Sequence, residues 1–407
     1  MTSTKPQRRT NFFDYFPLAK KVRLPPSDND DDDVQISQPS KNYTRLEDLP
    51  PELFLEIFQY LDMLDIHKGF FNLNTYLQNI LFDSTFLWRV NISLMSKSNF
   101  EQLNRQLLIP NRHRIQTLNI SNPCFADSIF SPVTVVKCFE QLETLIFNNV
   151  KPKYFPNILR RLAYLRNLSK LIIISKIYLE NIYETVFSLP KLKYFKIKLP
   201  SLSIGDFNIR FGKQINSSIE HIVIDAGIML SAFISLPSYV PNLQTLYIQS
   251  LNKTFYNNPL TECKMENWNH LKKIEIDDIK IDFSLFEIIS GQSLGQIEIL
   301  RLGTYDEGGI YLNARRWEQL ILSSMPKLRV FDIQFQVHLN NVNDENPDVT
   351  YKTILDDFSS LFWIQRKWFF DYLFYKHSYG YNAMFYSMNS KRYFKNKITN
   401  LIYLTFF

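Results

Sequence analysis

Glycine is scarce in this chain, 10 residues of 407, and cysteine scarcer still, at three. Little is therefore available for a phosphate-cradling loop. The Gly308-Gly309 pair has no Lys-Ser or Lys-Thr beside it, and no G-x-S-x-G elbow occurs. Cys124, Cys138 and Cys263 form no C-x-x-C, and their odd number argues for a reducing compartment over a disulfide framework. The six histidines lie far apart, without the i, i+4 pairing of a helical metal site, so no metal or other cofactor is expected. No apolar run follows the charged start, so no secretory signal is expected. The longest uncharged stretch, Ala226 to Asn252, is broken by Pro237 and Pro241 and reads as core, not as a membrane span. A formal charge of +6, spread along the chain, makes nucleic acid an unlikely partner and leaves a cytoplasmic or nuclear protein as the expectation.

What is present is repetition. An apolar residue, two others, an apolar residue, one other and an apolar residue recur as Leu142-x-x-Leu145-x-Phe147, Leu168-x-x-Leu171-x-Ile173 and Leu192-x-x-Phe195-x-Ile197. The middle positions are 118, 145, 171, 195, 222, 246, 274, 300 and 331, so neighbouring copies lie 24 to 31 residues apart. Such a period resembles that of leucine-rich repeats and predicts an α/β solenoid over residues 100–339, each unit one strand plus one helix or helical turn. Return helices are expected where Ile158, Leu162 and Leu165 share a face, and likewise Leu179, Ile182 and Val186. The Asn or Cys that this family places eight residues after the first apolar position is missing from all nine copies.

The period of two in a strand assigns faces: the two later apolar residues of each phrase point inward and those beside them point to the open, concave side. That side carries Ile172, Ile174, Tyr194, Lys196 and Lys198 early in the array. Asp225, Tyr247, Glu275, Asp277 and Arg301 follow. An aliphatic pair beside tyrosine and lysines, turning acidic further on, is the composition of a protein-binding surface.

Before the repeats, residues 43–92 predict three short helices. Pro50 or Pro51 opens the first, where a missing N–H costs nothing. Leu53, Ile57 and Leu61 form an apolar stripe widened by Phe54 and Phe58, and Asn74 is placed to cap the third helix. So short a segment cannot hide all its apolar side chains internally. The start Leu49-Pro50-x-Glu52-Leu53, the ending Ile57-Phe58-x-Tyr60-Leu61, the following Leu64 and the late Trp88 resemble the F-box family in order and spacing. In place of that family's Val-Cys-Arg-x-Trp phrase stands Leu73-Asn74-Thr75-Tyr76-Leu77. The resemblance implies docking to the Skp adaptor, and through it to a cullin, by Leu49, Pro50, Glu52, Leu53, Ile57, Leu61 and Leu64. It further implies a non-catalytic substrate receptor of an SCF-type ubiquitin ligase, with a target protein on the concave face.

The flanks differ from the middle. Residues 1–42 are basic, then acidic through Asp30 to Asp33, and are expected to be disordered. Within them Phe12, Tyr15 and Phe16 resemble a sliding-clamp-binding box, which offers the alternative of a clamp- or nucleic-acid-associated factor. A scaffold acting without a ligase is a further alternative. Residues 340–407 begin with a polar break and continue as an aromatic segment, read as the cap of the last repeat.

Overall fold

The computed structural model describes residues 46–83, 86–92, 95–131, 133–149, 155–177, 179, 182–200, 217–253, 266–306, 309–339, 347–377 and 380–388. The chain divides into Met1–Asp48 and one compact unit, Leu49–Phe407. Of the first, only a 3-10 turn, Leu46–Asp48, is described. The readings made for residues 1–42, and the last part of the aromatic C-terminal segment, residues 389–407, lie outside the described residues.

The compact unit opens with α1 (Pro51–Tyr60), α2 (Met63–Phe70) and α3 (Thr75–Phe82). Asp62 caps α2 by accepting from the Leu64 N–H at 2.8 Å, and Asn74 caps α3 by accepting from Leu77 at 2.8 Å. Tyr76, on α3, ties the start of α1 by donating to the Leu49 carbonyl at 2.7 Å. The apolar stripe expected on α1 is rotated. Phe54 and Phe58 are each 1% exposed, with ring centroids 6.0 Å from Tyr76 and 5.1 Å from Phe70 respectively. Leu53 and Ile57 remain 42% exposed. The two sets sit about a quarter turn apart, and the aromatic rings bury more area.

Twelve strands form one sheet among the described residues. The first ten are β1 (Trp88–Asn91), β2 (Ile115–Ile120), β3 (Thr144–Asn148), β4 (Lys170–Ile174), β5 (Tyr194–Lys198), β6 (His221–Met229), β7 (Thr245–Asn252), β8 (Lys273–Lys280), β9 (Ile299–Asp306) and β10 (Val330–Leu339). They lie side by side in chain order, each parallel to the next. Every one of the nine phrases has become a strand. Their middle residues, Leu118 through Leu145, Leu171, Phe195, Ile222, Leu246, Ile274 and Leu300 to Phe331, are direct register partners and all are buried. The expected boundaries at 92 and 100 need correction: β1 precedes both and pairs with β2, so the sheet begins at Trp88. Its buried–exposed alternation spans only four residues, too few to stand out in a sequence.

A second ladder sets the register from the backbone. The carbonyls of Glu143, Ser169, Lys193, Glu220, Gln244, Lys272 and Glu298 each accept from two successive N–H groups of the following unit, at 2.8–3.1 Å. This shared acceptor recurs just ahead of the strands. Returning helices include Phe155–Leu162, Ile182–Phe187, Phe283–Ser293 and Ala314–Ser324. Ile158, Leu162, Leu179, Ile182 and Val186 are buried, as their spacing predicts. The uncharged stretch from Ala226 contains the end of β6, a helix Leu230–Ser235 and β7. Among the described residues no helix is long and apolar enough to cross a membrane.

At the far end the chain reverses. β11 (Phe370–His377) and β12 (Gly380–Ser387) form a hairpin whose second strand lies antiparallel to β10. The aromatic segment covers the last phrase: rings of Trp363, Trp368 and Phe370 lie 5.7, 5.6 and 6.2 Å from that of Phe331. The cap is thus two helices, Pro347–Asp357 and Leu361–Gln365, plus a hairpin.

Arg114 joins the helical segment to the sheet. Only 5% exposed, it directs its guanidinium to the carbonyls of Leu81, Asp83 and Phe86 and lies over the Trp88 ring at 5.1 Å. Arg114→Leu removes these charged bonds and strands the carbonyls, so it is expected to cost about 3 kcal/mol, read from urea unfolding. A second expectation concerns pH. Burial lifts the Asp62 carboxyl to about 6, against the bonds it accepts from Leu64 and Asn91. The folded state then binds the proton more tightly than the unfolded chain, so this group lowers stability as pH rises from 3.8 to about 6. Asp62→Asn keeps the cap and removes the charge. Its melting temperature should exceed that of the parent chain above pH 6, with the difference shrinking on acidification.

Candidate functional site: a charged cleft and a helical docking face

From β6 onward the strands lengthen to eight to ten residues, against four to six before. The longer strands extend the open face, and a cleft of about 920 Å³ lies over β5 to β10. Eight of the ten residues expected to bind a target line it: Tyr194, Lys196, Lys198, Asp225, Tyr247, Glu275, Asp277 and Arg301. Ile172 and Ile174 do not; they stand one strand away, as direct register partners of Lys196 and Lys198, and form a half-buried apolar shoulder. Reasoning from the short phrase missed Asp278, Gly303, Thr304, Tyr305 and Gln336, which also line the cleft. All lie beyond the phrase itself. The alternation Ile333-Gln334-Phe335-Gln336-Val337 was the available signal that the strand runs on.

The register places Lys196, Val223, Tyr247, Glu275, Arg301 and Asp332 in one row across β5 to β10. Their charges are largely matched. Lys198 pairs with Asp225 at 2.9 Å and Lys273 with Glu275 at 3.1 Å. Arg301 sits between Glu275 at 3.4 Å and Asp332 at 3.3 Å. Lys196 has no ion-pair partner among the described residues. The Tyr247 hydroxyl donates to Asp277. Burial, that bond and the carboxylates nearby raise the Tyr247 phenol, so it stays a neutral donor through the physiological range. Burial also raises Tyr194, beside which Lys170 lies 5.0 Å from the ring centroid.

The described lining carries four cations, Lys196, Lys198, Lys273 and Arg301, and four carboxylates, Asp225, Glu275, Asp277 and Asp278. A surface of balanced charge does not suit a ligand of one sign such as a nucleic-acid backbone. It suits a polypeptide of mixed charge. The signs are interleaved: Lys196 and Lys198 stand on β5, Asp225 on β6, Lys273 with Glu275, Asp277 and Asp278 on β8, and Arg301 on β9. No cluster of three or more His, Cys, Asp or Glu able to hold a metal ion occurs among the described residues.

The second candidate surface is on α1. Pro50 and Glu52 are exposed, and Leu53, Ile57 and Tyr60 are 42%, 42% and 83% exposed. Leu49, Leu61 and Leu64 are half-buried and rest on the core. The seven residues expected to meet an adaptor thus divide into four that reach solvent and three that support them.

Gly303 holds the floor of the cleft together. A Cβ built there would overlap the Asp277 carbonyl, so β8 and β9 approach at this point more closely than any side chain permits. Gly303→Ala should separate the two strands and cost about 2 kcal/mol, detected as a lower urea midpoint. No protein-family model matches the chain, and comparison of its sequence with curated proteins finds no match.

Proposed function

We propose that this chain is the substrate-recognition subunit of an SCF-type cullin–RING ubiquitin ligase, in which an F-box docks the Skp adaptor and a leucine-rich-repeat solenoid binds a target protein. The observation that carries the reading is the division of α1. Phe54 and Phe58 face the core, while Leu53, Ile57 and Tyr60 stand in water on the other side. A short helix with apolar residues on both sides is half of an interface. Parallel strands in chain order, with helices returning between them, support the solenoid part of the reading. On this reading the chain forms and breaks no bonds itself. It raises the local concentration of a target's lysines at the cullin-bound machinery, and so works by proximity.

The test is binding of purified Skp adaptor to the full chain and to a Leu53→Asp, Ile57→Asp variant. The variant should melt as the parent does, because both side chains are 42% exposed, yet lose at least about a hundredfold in affinity. Failure of the unsubstituted chain to bind the adaptor would remove the ligase reading.

A further inference from the structure

A second cavity, of about 290 Å³, opens where the last parallel strand meets the cap, and Arg301 lines both it and the cleft. Four cations line it: Arg301, Arg329, Arg366 and Lys367. Two are neutralised within the fold, Arg301 by Glu275 and Asp332, and Arg329 by Glu298. Arg366 and Lys367 have no carboxylate partner among the described residues. The Arg366 guanidinium lies 3.9 Å from the centroid of the Phe362 ring and 5.8 Å from that of Trp368. Its Nη1 donates to the Phe362 carbonyl at 3.4 Å, which leaves the other N–H groups of the fork for a ligand. Lys367 follows the helix Leu361–Gln365 with φ at +58°, in the left-handed region. The Trp368 N–H donates to the Trp363 carbonyl at 3.1 Å, and the Lys367 N–H to that of Ile364 at 2.9 Å. A helix ending of this form favours glycine where Lys367 stands. Arg366 already supplies the positive charge that suits the carbonyl end of a helix. The lysine therefore stands against the preference of its backbone, at the wall of an open cavity.

Apolar groups complete the lining, with Val330 38% and Phe369 46% exposed. A cavity of about 150 Å³ holds a benzene ring, so this one has room for a ring and a polar head besides. A phosphate monoester carries a charge of about −1.5 to −2 and three acceptor oxygens. That matches two unneutralised cations, where a carboxylate matches one. We propose that the cavity is a binding site for an aryl phosphate, presented as a phosphotyrosine side chain by the protein that lies in the adjoining cleft. The planar fork of Arg366 takes two phosphate oxygens, Lys367 acts as a point charge, and the ring rests on Val330 and Phe369. The proposal rests on the reading of the open face as the target surface, and adds a modification that the target carries.

The test titrates the full chain with phenyl phosphate, inorganic phosphate and benzoate by calorimetry, beside Lys367→Gly and Arg366→Lys. It then measures retention of a degenerate phosphotyrosyl peptide library and of its phosphoseryl and unphosphorylated counterparts. Phenyl phosphate should bind at least about tenfold more tightly than either of the other small anions. Lys367→Gly should weaken phenyl phosphate about tenfold while raising the melting temperature, a combination that a purely structural lysine would not give. Arg366→Lys keeps the charge but loses the fork, and should also weaken it about tenfold. Phosphotyrosyl peptides alone should be retained. No binding of phenyl phosphate, equal binding of inorganic phosphate, or an affinity untouched by Lys367→Gly would each overturn the site. Binding of phenyl phosphate without retention of phosphotyrosyl peptides would overturn its assignment to a protein. Adaptor binding, measured on the same preparations, separates the two proposals. A chain that binds the adaptor but ignores phenyl phosphate loses this site alone. One that retains phosphotyrosyl peptides but ignores the adaptor loses the ligase reading alone.

Discussion

Everything in the compact unit depends on one shared backbone acceptor. In each unit from β3 to β9, the carbonyl just ahead of the strand takes two N–H groups from the next unit. Such a contact leaves no freedom to slip by one residue, and slipping by one would turn every apolar side chain of a strand outward. The buried row from Leu118 to Phe331 is a consequence of that fixed register, and so is the opposite row, which carries Lys196, Tyr247, Glu275 and Arg301. Core and cleft are two faces of the same alignment. A unit that fails to pair loses both at once, which makes the cleft as stable as the core beneath it.

The parts legible in the sequence are those that periodicity encodes. Nine phrases gave nine strands with their faces correctly assigned, because alternation and burial are the same fact in a half-buried strand. Asn74 was readable as a cap because its side chain competes locally for the helix N–H groups. Other features depended on contacts far apart in the chain. Whether Phe54 or Leu53 faces inward is decided by rings on α2 and α3, and no pattern within α1 contains them. β1 is too short to show a period, and it is a strand only because β2 offers an edge. Gly303 looks like any other glycine until the Asp277 carbonyl is brought against it.

The cleft and the α1 face divide the chemistry of the molecule. One is apolar, narrow and carried by a single helix turned partly away from its own core. The other is broad, balanced in charge and carried by six strands. Arg114 stands between the parts that bear them, bound to the Leu81 carbonyl at the end of α3 and to those of Asp83 and Phe86 in the α3–β1 connection, while its own backbone leads into β2. A load applied at α1 therefore passes into the sheet through a charged, buried contact and not through a flexible joint. For the receptor proposed above, which would hold one protein at a set distance from another, stiffness at this point matters as much as affinity at either surface.

The two ends of the sheet differ from its middle. β1 grows out of the helical segment, and at the other end β12 runs against the direction of the ten strands before it. A parallel array has no intrinsic length, since each exposed edge invites another copy. Here the first edge is committed to helices and the last to a hairpin sealed by tryptophan and phenylalanine. The array can therefore lengthen or shorten only by gain or loss of whole units within it. Each such event would move Lys196 and Glu275, which share one row, relative to one another whenever it fell between them, and would leave their spacing untouched anywhere else. The order of side chains along the open face from β5 to β10 is thus fixed by the strand-to-strand steps between them.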